Sequence, residues 1–169
     1  MLVKEAYTQL RTKEQLGYIV SSEVHSRWGV LGIRIVIQSL KPPHELEQRI
    51  ESFLQSFHSY LQEMEEETFR EHVDSLRTKK LEPDITLEQR SSRLFHEICM
   101  REECWDRRRQ EAAHLKDVTK KEIVELFRDH LAPGGKNRRM LSSQVVGQDA
   151  ISKQAHPGIA SKEHVTRYK

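Results

Sequence analysis

The fold is set by two short runs rich in β-branched residues, YIVSSEV at residues 18–24 and VLGIRIVIQS at residues 30–39. Such runs are typical of β-strands, and residues 26–29 (SRWG) between them supply a turn. The two runs therefore predict a hairpin. Residues 30–37 of the second run are apolar on both faces apart from Arg34, so we expect this run to be an inner strand that is covered on both sides.

Six helical patterns accompany this hairpin. Apolar residues three and four apart predict helices at about residues 2–11, 43–61, 69–76, 87–98 and 123–131. A shorter helix, crowded with arginines, is expected at residues 105–116. Gly17 is expected to stop the first helix, and Thr86 with Gln89 and Thr119 with Glu122 form capping boxes. A last strand is expected at residues 140–146. The predicted fold is therefore α+β, an antiparallel-rich sheet covered by several helices.

Length and composition restrict the class of protein. The 169 residues suffice for one domain, which we place at residues 1–146, and residues 147–169 are expected to form a flexible polar tail. The net charge is only +2, with 32% charged and 36% hydrophobic residues, so nucleic acid and membranes are not expected partners. Cys99 is expected to pack in the core and Cys104 to be exposed as a reduced thiol of a cytoplasmic protein.

The usual signatures of a self-sufficient active site are missing from the sequence. His44-Glu45 and His96-Glu97 begin like a zinc-protease helix, but Gln48 and Met100 stand where the second His would be. No H-x-x-E-H string, metal-ligand cluster or recognisable nucleophile occurs. The basic run at residues 107–109 lacks interleaved aromatic residues, which favours a solvated helix face over a nucleic-acid site.

One segment, LRTKEQLGYIV at residues 10–20, has a more unusual combination of residues. A helix with Arg11, then a glycine and then a strand that begins at Tyr18 places a guanidinium and a phenol near one corner. Both groups can donate hydrogen bonds to a carbonyl or an oxyanion. From the residues alone, a structural role is favoured: Arg11 could pair with Glu14 or Glu5, and the Tyr18 ring could anchor the core.

The chain resembles one protein family over residues 7–146. The resemblance is carried by this segment, by KPPH at residues 41–44 and by shorter stretches up to Arg138-Arg139. The similarity is to the C-terminal, fourth domain of the insulinase (pitrilysin, inverzincin) family of zinc metallopeptidases. It implies a large peptidase of four similar α+β domains, arranged as two halves that close around a chamber. The zinc ligands and the catalytic Glu lie in the N-terminal half.

The resemblance implies that this chain is the zinc-free domain that helps to close the chamber and to position peptide substrates. Arg11 and Tyr18 would reach the substrate beside the zinc. The chain alone is then expected to bind no metal, to supply no catalytic nucleophile or base, and to be inactive. The alternative is a non-catalytic scaffold or interaction module that has kept the peptidase fold.

Two departures from the family pattern carry further expectations. Residues 82–86 read EPDIT where the family has a lysine-bearing loop, so activation by nucleotides or polyanions through this loop is not expected. A whole family domain would have further strands and a helix before Leu2. We therefore expect either a fragment or a hairpin with an unpaired edge, which is a route to a homo-oligomer.

Overall fold

The computed structural model describes residues 1–27, 29–101 and 103–146, and it confirms the α+β fold class. The first helix, α1, continues directly into a π-helix, and a hairpin and five further helices follow. The elements are α1 (Leu2–Ala6), the π-helix (Tyr7–Lys13), β1 (Ile19–Arg27), β2 (Val30–Gln38), α2 (Pro43–Glu63), α3 (Glu66–Leu81), α4 (Leu87–Met100), α5 (Arg107–His114) and α6 (Lys120–His130). None of the helices in the described ranges is long and apolar enough to cross a bilayer.

The hairpin pairs β1 with β2 along their whole lengths. The strands are antiparallel, with Ile19 opposite Gln38 and Arg27 opposite Val30. The expectation that β2 is an inner strand is wrong for the described residues, in which β1 is its one neighbour. Only one face of β2 packs inward, through Ile35 and Ile37, and the other face is exposed. The cause is that the described helices cover one side of the sheet.

The core is centred on α2. Four apolar side chains three and four residues apart are buried on one face of this helix: Phe53, Leu54, Phe57 and Leu61. The Phe57 ring lies 5.9 Å from the Phe53 ring and 5.4 Å from the Phe127 ring of α6. Leu10 of the π-helix joins the same cluster. This core fixes α2 against the π-helix, the hairpin and α6.

The predicted helix boundaries are mostly confirmed. Both capping boxes form: Thr86 accepts a hydrogen bond from the Gln89 backbone N–H at 3.2 Å, and Thr119 accepts one from that of Glu122 at 3.3 Å. The Glu122 carboxylate in turn accepts hydrogen bonds from the Thr119 backbone N–H and hydroxyl, and these bonds lower the pKa of Glu122. The prediction that Gly17 stops the first helix is wrong, because the π-helix already ends at Lys13.

The region around α4 corrects three expectations. Its predicted apolar face is not buried: Leu87 is 83% exposed and Phe95 is 63% exposed. Cys99 on the same helix is exposed rather than packed, and Cys104 is half-buried rather than exposed. The reason is that α4 uses its polar side to contact the chain around α5.

Ion pairs make that contact, so the basic run of α5 is not simply a solvated face. Arg107 donates to Glu97 of α4 at 2.7 and 2.8 Å, and Arg108 pairs with Asp84 at 2.9 Å. Asp84 also pairs with Arg93 of α4, at 2.8 Å. Asp84 belongs to the loop before α4, so its carboxylate joins this loop to two helices.

The last strand, predicted at residues 140–146, is not formed. This segment has no strand partner among the described residues, and polar side chains bind it to α2 instead. Arg138 makes two bonds to Glu51, at 2.5 and 2.6 Å, and Gln144 donates to Glu47 at 2.9 Å. The tail expected at residues 147–169 lies outside the described residues.

Candidate functional site

Arg11 and Tyr18 lie on the same short turn between the π-helix and β1. Arg11 is in the last turn of the π-helix, and its Nη1 donates a hydrogen bond to the carbonyl oxygen of Gly17. Tyr18 is the next residue, immediately before β1, and its side chain is 82% exposed. The structure therefore places the guanidinium beside the backbone that carries the phenol.

The structural alternatives for these two residues do not hold. An 82% exposed tyrosine does not anchor a core through its ring. Glu14, a suggested partner of Arg11, is bound to Arg49 instead. Within the described ranges no carboxylate forms an ion pair with Arg11, and only one of the five guanidinium N–H donors is used in its bond to Gly17.

The turn is fixed at Leu16, between Arg11 and Tyr18. The Leu16 side chain is buried, and its backbone N–H donates to the carbonyl of Leu10 at 3.0 Å. The Ser39 hydroxyl donates to the Leu16 carbonyl. Gln15 has a φ of 49°, a left-handed conformation in a non-glycine residue. Burial and hydrogen bonds on both sides hold this conformation, so the turn has a defined shape.

Gly17 allows the turn to approach the end of β2. A β-carbon at this position would lie 2.9 Å from the carbonyl carbon of Gln38 and closer still to its oxygen. The Tyr18 backbone N–H donates to that same oxygen at 2.9 Å. Only a residue without a side chain fits here, and the position of Tyr18 depends on this contact.

Glu14 ties the turn to α2. Its carboxylate accepts a hydrogen bond from Arg49 Nε at 2.7 Å and one from Gln9 at 2.8 Å. The hydrogen bond from Arg49 lowers the pKa of Glu14, burial opposes this, and the bond from Gln9 lowers it further. The sequence reasoning did not identify Arg49 or Ser39 as neighbours of the site, because neither adjoins it along the chain.

The π-helix is the other feature that sequence reasoning missed. Seven residues, Tyr7–Lys13, adopt this form, which is rare and is frequent at functional sites. Its wider turns end with the bond from the Glu14 N–H to the Gln9 carbonyl at 3.0 Å. An apolar spacing of four residues is compatible with both helix types, so no signal in the sequence distinguishes them.

The site can donate hydrogen bonds but cannot hold a metal. No group of three or more His, Cys, Asp or Glu side chains suited to a metal ion occurs in the described ranges. Glu97, which follows His96, is bound to Arg107. The described residues therefore offer no set of side chains that fits a zinc ion.

The comparisons with known proteins agree on one relationship. Residues 1–95 match the family model described as "PQQ synthase PqqF-like, C-terminal lobe domain 4". The insulin-degrading enzyme of Drosophila melanogaster is 40% identical over 148 residues, which are 88% of this chain and 15% of that protein. The insulin-degrading enzyme of Homo sapiens is 35% identical over 152 residues, 90% of this chain and 15% of that protein.

A solved structure gives the same relationship at the level of the fold. The crystal structure of pitrilysin superposes with a TM-score of 0.64 and 27% identity, over 76% of this chain and 14% of that one. The chain thus spans about 15% of the length of the curated relatives that it matches.

Proposed function

Because the chain belongs to the insulinase family, as a C-terminal lobe domain of the PqqF-like type, we propose that it completes the active site of an insulin-degrading-enzyme-like zinc metalloendopeptidase. In this proposal the N-terminal half of the parent enzyme supplies the zinc and the catalytic Glu. The chain alone contributes neither metal ligands nor a general base. It helps to close the chamber around a peptide substrate, and activity belongs to the complete enzyme.

The observation that carries this proposal is the anchored turn with two outward donors. Tyr18 is exposed while the residues around it are held by Leu16, Ser39 and the end of β2. When the halves close, the Tyr18 hydroxyl and the remaining N–H groups of Arg11 would donate to the carbonyl oxygen at the scissile bond. Because the backbone that carries them is fixed, these donors would stabilise the developing negative charge with little reorganisation of the turn.

Substitutions in the complete enzyme test this role. Tyr18→Phe and Arg11→Ala should each lower kcat for a peptide substrate by about tenfold or more, because loss of an oxyanion donor has effects of this size or larger. Tyr60→Phe is the matched control, since it removes a hydroxyl from another partly exposed tyrosine, on α2. Unchanged peptide cleavage by both site variants would refute the proposal and favour a scaffold role.

The same proposal includes the cellular location of the parent enzyme and the neighbours of the two-stranded sheet. We place it in the cytoplasm, in keeping with the two free cysteines, Cys99 and Cys104. The open edges of the two-stranded sheet suit further strands, from the rest of the parent chain or from a second copy.

A further inference from the structure

We infer that Arg49 is a positioning residue that holds Glu14 away from Arg11 and thereby keeps the Arg11 guanidinium available for substrate. The inference rests on the proposed function of Arg11. Arg49 and Glu14 are not among the backbone contacts that anchor the turn. Through their ion pair, α2 becomes part of the active-site machinery.

The first observation is the competition for one carboxylate. Glu14 stands three residues after Arg11 and is the acidic residue nearest to it along the chain. In the structure, however, the Glu14 carboxylate is bound at 2.7 Å to Arg49 and at 2.8 Å to Gln9. The Glu14 side chain is only 13% exposed. The carboxylate is thus already occupied on the α2 side of the turn.

The second observation is what Arg11 does instead. Its Nη1 donates to the carbonyl of Gly17, the residue immediately before Tyr18. An ion pair with Glu14 would pull the guanidinium away from this carbonyl, occupy some of its N–H donors and offset its positive charge. Arg11 would then be a weaker partner for an oxyanion, because its donors would already be engaged in charge-assisted hydrogen bonds to a carboxylate.

The third observation is the rigidity of α2. Arg49 lies four residues before Phe53, on a helix that is fixed in the core by Phe53 and Phe57. Its guanidinium therefore projects from a well-packed element rather than from a loop. A site supported from such an element keeps its geometry better than one supported by loops alone. The Arg49 side chain itself is half-exposed, so substitution there should not disturb the core.

Four enzymes test the inference: the unmodified parent enzyme, Glu14→Gln, Arg49→Met and the double variant. Arg49→Met should lower kcat by about tenfold, because the freed Glu14 carboxylate captures Arg11. Glu14→Gln should lower kcat by less than about threefold. The double variant should regain a kcat within about threefold of the parent, since no carboxylate then competes. Arg49→Gln is a second substitution at the same position, and we expect the same changes in kcat from it, alone and combined with Glu14→Gln.

This pattern separates positioning from simple stabilisation. If the ion pair only stabilised the fold, the double variant would be no more active than Arg49→Met. The control pair is Glu51 with Arg138, which also joins α2 to a distant segment; Glu51→Gln should leave kcat unchanged. Arg49→Met in an Arg11→Ala background should have little further effect on kcat.

The outcomes also separate this inference from the proposed function. If Arg11→Ala and Tyr18→Phe both leave kcat unchanged, the proposed function itself fails. If Arg11→Ala alone leaves it unchanged, the role of Arg11 fails and the role of Arg49 fails with it. If Arg11→Ala lowers kcat but Arg49→Met does not, or if the double variant is no better than Arg49→Met, the proposed function stands and the role of Arg49 is refuted.

Discussion

Replacement of Gly17 by alanine should disturb both the stability of the domain and the position of Tyr18. The added β-carbon would lie 2.9 Å from the carbonyl carbon of Gln38 and 3.2 Å from Cγ2 of Ile37. Carbon atoms pack best at about 3.5–4.0 Å. The turn and the end of β2 must therefore separate by at least about half an ångström. Backbone atoms form one side of this contact, so no rotamer change relieves it.

The cost of this separation follows from two contributions. Overpacking against fixed atoms costs about 1–3 kcal/mol. The hydrogen bond from the Tyr18 N–H to the Gln38 carbonyl, now 2.9 Å long, would be lengthened, which costs about 0.5–1.5 kcal/mol. We therefore expect the free energy of unfolding to fall by about 1.5–4.5 kcal/mol. In the complete enzyme kcat should fall by about tenfold or more, since small misplacements of oriented groups reduce rates strongly.

Gly32 provides a matched control in the same hairpin. A β-carbon at Gly32 meets no atom within 4 Å, so Gly32→Ala should leave stability unchanged or raise it by about 0.5–1 kcal/mol. Urea unfolding of both variants measures the difference, and peptide cleavage by the complete enzyme measures the effect on the site. Equal unfolding free energies for the two variants would refute the close-contact argument at Gly17.

Two further predictions concern the core and the buried carboxylate of α4. Phe57→Ala should lower the free energy of unfolding by about 3–5 kcal/mol, because the ring is buried between two other phenylalanines. Urea unfolding measures this change, and a loss below about 1 kcal/mol would contradict the packing. Glu97→Gln should cost about 1.5–3 kcal/mol near pH 7 by loss of the charged bonds to Arg107. Arg107 lowers the pKa of Glu97 below its unfolded value of 4.5, so this stabilisation is present above pH 4.5 and is lost as the pH falls through the folded pKa. Unfolding measured between pH 3 and pH 7 should show the gap between the two proteins closing at acid pH, and a gap independent of pH would contradict the assignment.

Local signals explain the parts of the fold that could be predicted. The capping boxes at Thr86 and Thr119 depend on residues three positions apart, which interact in almost any helix of that sequence. The buried face of α2 follows from the spacing of Phe53 and Phe57 alone. The hairpin likewise follows from two β-rich runs joined by a short turn. In each case, the deciding pattern lies within a single helix or a single hairpin.

Contacts between distant segments explain the parts that could not. The amphipathic pattern of α4 shows that Leu87 and Phe95 belong to an apolar set, but not which element covers them. A strand at residues 140–146 requires a neighbouring strand, and the described sheet offers none at that place. For the site, the order of Arg11 and Tyr18 along the chain indicated the corner. The contact of Glu14 with Arg49, 35 residues away, has no recognisable signature in the sequence.

The rigidity of the turn has a functional consequence if Arg11 and Tyr18 act on a substrate held by another half of the enzyme. The distance from these donors to the scissile carbonyl then depends on how fully the halves close and on how far the turn itself moves. The second variation is small, because Gly17 packs on Gln38 while the Leu16 carbonyl accepts a hydrogen bond from the Ser39 hydroxyl. Closure alone then sets the donor geometry. A substitution that loosens the turn should therefore reduce kcat more than it raises KM, since the lost interaction is made chiefly in the transition state.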